Sequence, residues 1–263
     1  MKILIIGATG NIGQETIRHL HAQGIIPRAG VRNISKAKAQ LGDMAQWVPF
    51  DFADADTFRP ALMEIDRLFF IAPHHNPLPS VKHFLEVAQQ EGVEHLVFSS
   101  GRTTGDIAGK PLNQGERVVK ENPIPWTIIR PGWFMQNFAS WLGTTIPVER
   151  KFYLPAADSK TAFIDVRDIG AVVSRLLTED GYAGQLYNLT SDEAINHYQV
   201  AEHISTACGK SVEYVPLEPE AFVKTMMEKG WTEAAARYTL ALYDIVRTGK
   251  EEEISPDVER ILG

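Results

Sequence analysis

Met1-Lys2-Ile3-Leu4-Ile5-Ile6-Gly7-Ala8-Thr9-Gly10-Asn11-Ile12-Gly13 opens the chain, and its reading decides the fold. An unbroken apolar run without polar alternation predicts a strand buried on both faces, as in a parallel sheet. The glycines that follow predict a tight turn at Gly7, a close backbone approach at Gly10 and close helix packing at Gly13. A helix from about Ile12 to Gln23, stopped by Gly24, then offers its free N–H groups and positive dipole end to an anion. Strand, glycine loop and helix in this order form the fingerprint that cradles a dinucleotide pyrophosphate. Gly7, Thr9, Gly10, Asn11, Ile12 and Gly13 are therefore expected to contact it.

Short apolar runs recur along the chain. Ile25 to Val31, Trp47 to Phe50, Leu68 to Ala72, His95 to Ser99 and Trp126 to Arg130 read as strands. Between them lie helical patterns, the clearest from Ser80 to Gln90, where Val81, Phe84, Leu85 and Ala88 share one face. Strands separated by helices imply parallel pairing through right-handed crossovers, hence an α/β fold with a doubly wound parallel sheet of the Rossmann kind. After Pro131 the rhythm changes. Residues 133–160 read as a helix and an irregular stretch, Phe163 to Asp165 as a short strand, Asp165 to Leu177 as a helix and Leu186 to Leu189 as a late strand. The expected division is a dinucleotide domain of 1–132 plus about 161–190, with about 133–160 and 191–263 forming a smaller, mainly helical substrate part.

With 263 residues the chain has room for both parts. Its one cysteine, Cys208, excludes an internal disulfide and a multi-cysteine metal site, and reads as a small apolar filler on a helix. No metal is expected. A net charge of −7 without a basic tract argues against nucleic acid as a partner. No apolar run is long enough for a membrane span, and no signal-peptide pattern stands at the start, so a cytoplasmic protein acting on a small molecule is expected.

The second strand indicates which dinucleotide. An NAD site usually ends this strand with an acid that accepts from the ribose 2′-hydroxyl. Between Glu15 and Asp43 there is no acid. The window holds Arg28, Arg32, Lys36 and Lys38 instead. Arg32 follows the strand where a 2′-phosphate would lie, and guanidinium binds phosphate bidentately, so NADP(H) is preferred to NAD(H), with Lys36 as a second cation. Asp51 and Phe52 follow the third strand, where a carboxylate accepts from the adenine amino group and a ring lines its pocket. Capping the next helix is an equal use for Asp51 or Asp54.

These residues resemble the atypical short-chain dehydrogenase/reductases, specifically the NmrA-like branch, over nearly the whole chain. The resemblance rests on the glycine loop, Val31-Arg32-Asn33, Val97-Phe98-Ser99-Ser100, Trp126-Thr127-Ile128-Ile129-Arg130-Pro131-Gly132-Trp133-Phe134-Met135-Gln136-Asn137, Asp165-Val166-Arg167-Asp168-Ile169 and Tyr187-Asn188-Leu189-Thr190. Relatives similar to it include quinone and azo-dye reductases, clavine dehydrogenases and non-catalytic regulators. The wider superfamily uses Tyr-x-x-x-Lys, in which the lysine lowers the tyrosine pKa for proton exchange with substrate. Here Tyr153, Tyr182, Tyr187, Tyr198, Tyr214, Tyr238 and Tyr243 are followed four residues on by Ala, Leu, Ser, Glu, Glu, Leu and Arg. None has the lysine. By the resemblance, the two positions fall on Ala108 and Leu112.

Hydride transfer needs a nicotinamide held against an acceptor, which positioning alone accelerates. A conjugated, quinone-like or imine-like acceptor needs no enzymic proton donor. Alcohol oxidation would need the missing base. The expected function is thus an NADP(H)-dependent reductase, with a non-catalytic NADP(H) sensor acting on a protein partner as the alternative. At the carboxyl edge of the sheet, Ala72, Pro73, Ser99 and Pro131 are expected beside the cofactor, His74 and Ser100 are the catalytic candidates, and His74, Phe134 and Asn137 the substrate contacts. Trp133, Phe134 and Met135 are expected to open a helix. His197 and His203 sit on polar helical stretches without a functional signal.

Overall fold

The computed structural model describes residues 1–73 and 78–263. In chain order the elements are β1 (Ile3–Ile6), α1 (Asn11–Ala22), β2 (Arg28–Val31), α2 (Ile34–Leu41), β3 (Gln46–Pro49), α3 (Phe58–Leu62), β4 (Arg67–Ile71), α4 (Leu78–Gln90), β5 (His95–Ser99), α5 (Pro111–Glu121) and β6 (Trp126–Pro131). There follow α6 (Ile146–Glu149), β7 (Lys151–Leu154), β8 (Lys160–Thr161), α7 (Val166–Thr178), β9 (Gln185–Leu189), β10 (Ile195–Asn196), α8 (His197–Cys208), β11 (Glu213–Pro216), α9 (Pro219–Glu228), α10 (Glu233–Arg247) and α11 (Asp257–Leu262). The chain divides into two compact units, one of Met1–Pro131, Val166–Leu189 and Asp257–Gly263, the other of Gly132–Asp165 and Thr190–Pro256.

The first unit carries a seven-stranded sheet in the order β3-β2-β1-β4-β5-β6-β9, parallel throughout. It is the doubly wound α/β sheet expected from the apolar runs. Every residue of β1 and of β5 is buried, which is why these strands read as continuous hydrophobic segments. One sheet face is covered by a phenylalanine cluster. Phe84 of α4 meets Phe50, Phe58 and Phe70 with ring centroids 5.2, 5.4 and 5.9 Å away. Edge-on ring pairs at these separations add to the burial energy and fix α4 on the sheet.

The second unit is smaller and mainly helical, with two short sheets. β8 pairs antiparallel with β10, and β7 pairs parallel with β11. Its core gathers around His197, which is fully buried and has Phe138, Phe163, Tyr214 and Tyr243 at ring distances of 5.3 to 5.9 Å. Burial holds the imidazole neutral, with its pKa pushed down to about 3. The polar look of its helix hid a core residue.

Four local expectations are corrected. Trp133 to Met135 do not open an α-helix: Ile164 donates to the Trp133 carbonyl and Met135 to that of Ile164, at 2.8 and 2.9 Å. These bonds use groups a helix would need, and only one 3₁₀ turn follows, Met135–Ala139. For the same reason Phe163 to Asp165 gives a single bridge, Phe134 to Ile164, and no strand. The last helix, assigned by sequence to the substrate part, belongs to the first unit. There Asp257 accepts from the Asn188 amide at 2.9 Å, and the Leu262 carbonyl accepts from Arg175 at 3.2 Å. Finally, Cys208 is exposed at the end of α8, where it fills no core.

Candidate functional site

In the strand order of the first unit, β1 and β4 are neighbours whose following connections leave in opposite directions, and such a switch point opens a crevice at the carboxyl edge. The structure has a cleft of about 370 Å³ here, lined by Ile6, Gly7, Ala8, Thr9, Gly30, Val31, Arg32, Phe50, Asp51, Phe52, Ile71 and Pro73. The loop between β1 and α1 supplies its floor. Gly7 has φ of +86°, a left-handed conformation that glycine adopts without strain. The Gly10 amide donates back to the Gly7 carbonyl at 3.0 Å, and the Thr9 carbonyl is pinned by the Gln14 side chain at 2.9 Å. A Cβ on Gly13 would sit 2.3 Å from the Gly7 carbonyl oxygen, so any side chain there would push α1 off the loop.

The start of α1 is chemically unfinished. Gly10 occupies the capping position with no side-chain hydrogen bond, and the first turn holds no acidic residue. The first-turn N–H groups have no intrahelical partner, so an anion is what the end accepts. Arg32 lines the same cleft, is exposed, and among the described residues makes no ion pair. A phosphate-rich dinucleotide therefore fits the residues present: an uncapped helix end, a glycine floor and an uncommitted guanidinium.

The other expected cofactor residues divide. Phe52 lines the cleft with its ring set edge-on to Phe50 at 5.0 Å. Asp51 also lines it, with one carboxylate oxygen accepting from the Ala53 amide at 3.0 Å, while Asp54 takes the helix-capping role. Lys36 lies outside the lining, in the first turn of α2, which Asn33 caps by accepting from the Lys36 amide at 2.9 Å. Pro73 lines the cleft and Ala72 is buried behind it. His74 lies outside the described residues.

At the carboxyl ends of β5 and β6 stands a second group of polar residues, tightly bonded among themselves. The Ser100 hydroxyl donates to Glu116 Oε1 at 2.7 Å. Arg130 grips the same carboxylate with Nε on Oε1 at 2.7 Å and Nη2 on Oε2 at 2.8 Å, and its Nη1 reaches Asp106 at 2.5 Å. Glu116 is 2% exposed. Burial pushes its carboxyl up, but the Arg130 fork, the Ser100 hydroxyl and the Lys120 charge outweigh burial and hold it below the usual carboxylate range. Nearby, Ser99 is buried, and the Pro131 carbonyl accepts from the Arg102 amide at 3.1 Å.

Glu116 and Arg130 were not read from sequence as site residues. One signal was present: Glu116 falls on the buried face of α5 with Gly115 and Val119, so a carboxylate interrupts an apolar stripe. In the second unit, Phe134 forms the bridge to Ile164, and Asn137 Oδ1 accepts from Trp141 Nε1 at 3.1 Å.

The sequence profile of the NmrA-like family matches residues 1–259. The chain belongs to that family. This NmrA-like protein is 31% identical to the NAD(P)H azoreductase of Xenophilus azovorans over 246 residues, covering 92% of this chain and 86% of the relative. Among solved structures, the Citrobacter sp. triphenylmethane reductase complexed with NADP(H) superposes with a TM-score of 0.85 at 24% identity, over 100% of this chain and 95% of that one. The Escherichia coli NADPH-dependent quinone oxidoreductase complexed with NADPH gives 0.85 at 24% identity, over 98% and 94%. At such identities the structural likeness speaks for the fold. Among the described residues of this NmrA-like chain, no helix is long and apolar enough to cross a membrane.

Proposed function

We propose that this protein is an NAD(P)-dependent oxidoreductase, and within that class an NADPH-dependent reductase of a small conjugated quinone-, azo- or imine-like acceptor. The observation that carries the reading is the cleft at the β1–β4 switch point, with its uncapped helix end and an Arg32 that makes no ion pair among the described residues. Family membership and the azoreductase relative support the oxidoreductase class. When bound, the reduced nicotinamide supplies the hydride. The residues of this chain would do the rest: the Gly7 to Gly13 loop would receive the pyrophosphate, Arg32 would take the ribose 2′-phosphate, and Phe52 would line the adenine pocket.

The acceptor class follows from what the chain withholds. It has no Tyr-x-x-x-Lys, and the proton of Ser100 is already donated to Glu116, which leaves Ser100 Oγ an acceptor. Ser100 therefore supplies no proton to the acceptor. An iminium takes hydride with no proton at all. A quinone- or azo-like acceptor gathers charge on oxygen or nitrogen and takes its proton from water. Phe134 and Asn137 are the proposed acceptor contacts. The test is loss of reduced-nicotinamide absorbance on mixing the protein with NADPH and a panel of quinones, azo dyes, enones and cyclic imines. Turnover with at least one of these is expected. Tight NADPH and NADP⁺ binding of unequal strength, with no turnover on any acceptor, would favour the sensor reading instead.

A further inference from the structure

The second unit contains a cavity that the reductase reading does not use. Its volume is about 370 Å³, and its walls are mostly hydrocarbon and aromatic: Phe138, Phe163, Ile195, Val200 and Ile204, with Met135 at one side. The floor is built from three separate segments. Phe138 comes from the 3₁₀ turn, Phe163 from the stretch before α7 and Val200 from α8, and all three are buried. Phe138 and Phe163 meet edge to face at 5.4 Å.

The rim is equally defined. The Ser191 amide donates to the Phe163 carbonyl at 3.2 Å, and the Ser191 hydroxyl closes the turn onto the Glu193 carbonyl at 2.7 Å. Ile195 is held in register opposite Thr161, and α8 begins in a reciprocal capping box between Asn196 and Gln199. Cavity and rim are thus framed by backbone pairing, and the apolar space does not depend on loose side chains.

The charge on this rim has one sign. Asp192 and Glu193 line the cavity, both are exposed, and among the described residues neither is in an ion pair. No lysine or arginine contributes to the lining, and His203 is the remaining ionisable group there. Two carboxylates with no ion pair among the described residues, at the mouth of an apolar, aromatic-walled cavity, repel an anion and favour a cation. We propose that this cavity is a binding site for an organic cation with an aromatic or branched alkyl body, such as a substituted ammonium ion. The body fills the space between Phe138, Phe163 and Ile204, and the charge stays at the Asp192–Glu193 rim. The inference is independent of the reductase reading, because it involves only the second unit and needs no dinucleotide.

The test is calorimetric titration of the full chain, without dinucleotide, with tert-butylbenzyl trimethylammonium and with the matched anion tert-butylbenzenesulfonate. The cation is expected to bind about tenfold more tightly than the anion, the scale of two exposed charge contacts. Asp192→Asn with Glu193→Gln, both at exposed positions, is expected to erase that preference. Ile204→Trp, which fills the cavity, is expected to abolish binding of both probes. Methyl signals of Ile195, Val200 and Ile204 in the unaltered protein should shift as the cation is added, which locates the site even if the tryptophan variant does not fold. Equal binding of cation and anion, an unchanged preference in the double variant, or unmoved methyl signals would overturn the proposal.

Discussion

The two groups of polar residues along the carboxyl edge of the sheet are put together in opposite ways. Around β1 and β2, the polar groups are left open: α1 has no side-chain cap, its first turn carries no acid, and Arg32 lines the cleft with no ion pair among the described residues. Around β5 and β6, they are consumed by one another: Glu116 takes the Arg130 fork, the Ser100 hydroxyl and Lys120. Open donors bind ligands because solvation by water is all they lose. A saturated network holds a shape, since a buried charge stays only where its partners satisfy it. The first region is thus built to hold an anionic ligand and the second to fix the ends of two strands. Such a division suits an enzyme that positions a cofactor and leaves proton transfer to its surroundings.

Glu116 is where the contrast between the two regions has its largest consequence. Replacing it with alanine strands Arg130 with no partner for its Nε and Nη2, and removing one member of a buried pair is expected to cost about 3–5 kcal/mol. Urea denaturation measures this directly, and Glu116→Gln should recover part of the loss. A cost below about 1 kcal/mol would mean the network is solvated and the contrast is false.

Acid provides the next test, through His95, which begins β5 at the end opposite that group. Burial and, secondarily, the Arg67 charge push its pKa down to about 4. Thr127 donates to the Tyr182 carbonyl at 2.7 Å and so accepts from His95 Nε2 at 2.9 Å, which fixes the neutral tautomer. Between the ordinary imidazole value and about 4, the unfolded chain binds the extra proton, so stability falls as pH drops through that window. The loss attributable to His95 is expected to be about 3 kcal/mol. As pH falls below the ordinary carboxylate value, protonation of Glu116 adds a further loss, because its carboxyl is held below the usual range. Denaturation midpoints from pH 7 to 4 should decline in the unaltered protein, and His95→Gln should flatten the upper part of the decline. An equal slope in both would refute the assignment.

Ser100→Ala gives the smallest effect. It removes one hydrogen bond to a carboxylate that keeps its arginine, so a stability loss of about 1 kcal/mol is expected. Dinucleotide affinity should not change. A large loss of NADPH binding in this variant would join the two regions that the comparison separates.

How much of this was legible in sequence follows the same division. Ile3–Ile6 and His95–Ser99 are buried on both faces, so composition alone announced them, and the glycine loop is a contiguous motif whose geometry each residue states locally. Arg32 was readable because its place is set by the end of one strand. The Ser100–Glu116–Arg130 group was not, since its members lie 14 and 16 residues apart on different elements and meet only through the fold. His197 was hidden for a similar reason. The rings that bury it, from Phe138 to Tyr243, come from distant parts of the chain. The parallel pair β7 and β11 is likewise a long-range product, joining Lys151 to Glu213 with no local periodicity to mark it.

If Arg32 takes the 2′-phosphate of NADPH, a fluorescence titration of unaltered protein and Arg32→Ala with NADPH and with NADH will show it. Tighter NADPH binding is expected in the unaltered protein, and a loss of about tenfold to a hundredfold for NADPH alone in the variant, the scale of a charge-assisted phosphate contact. Equal weakening of both dinucleotides, or no change in either, would contradict it.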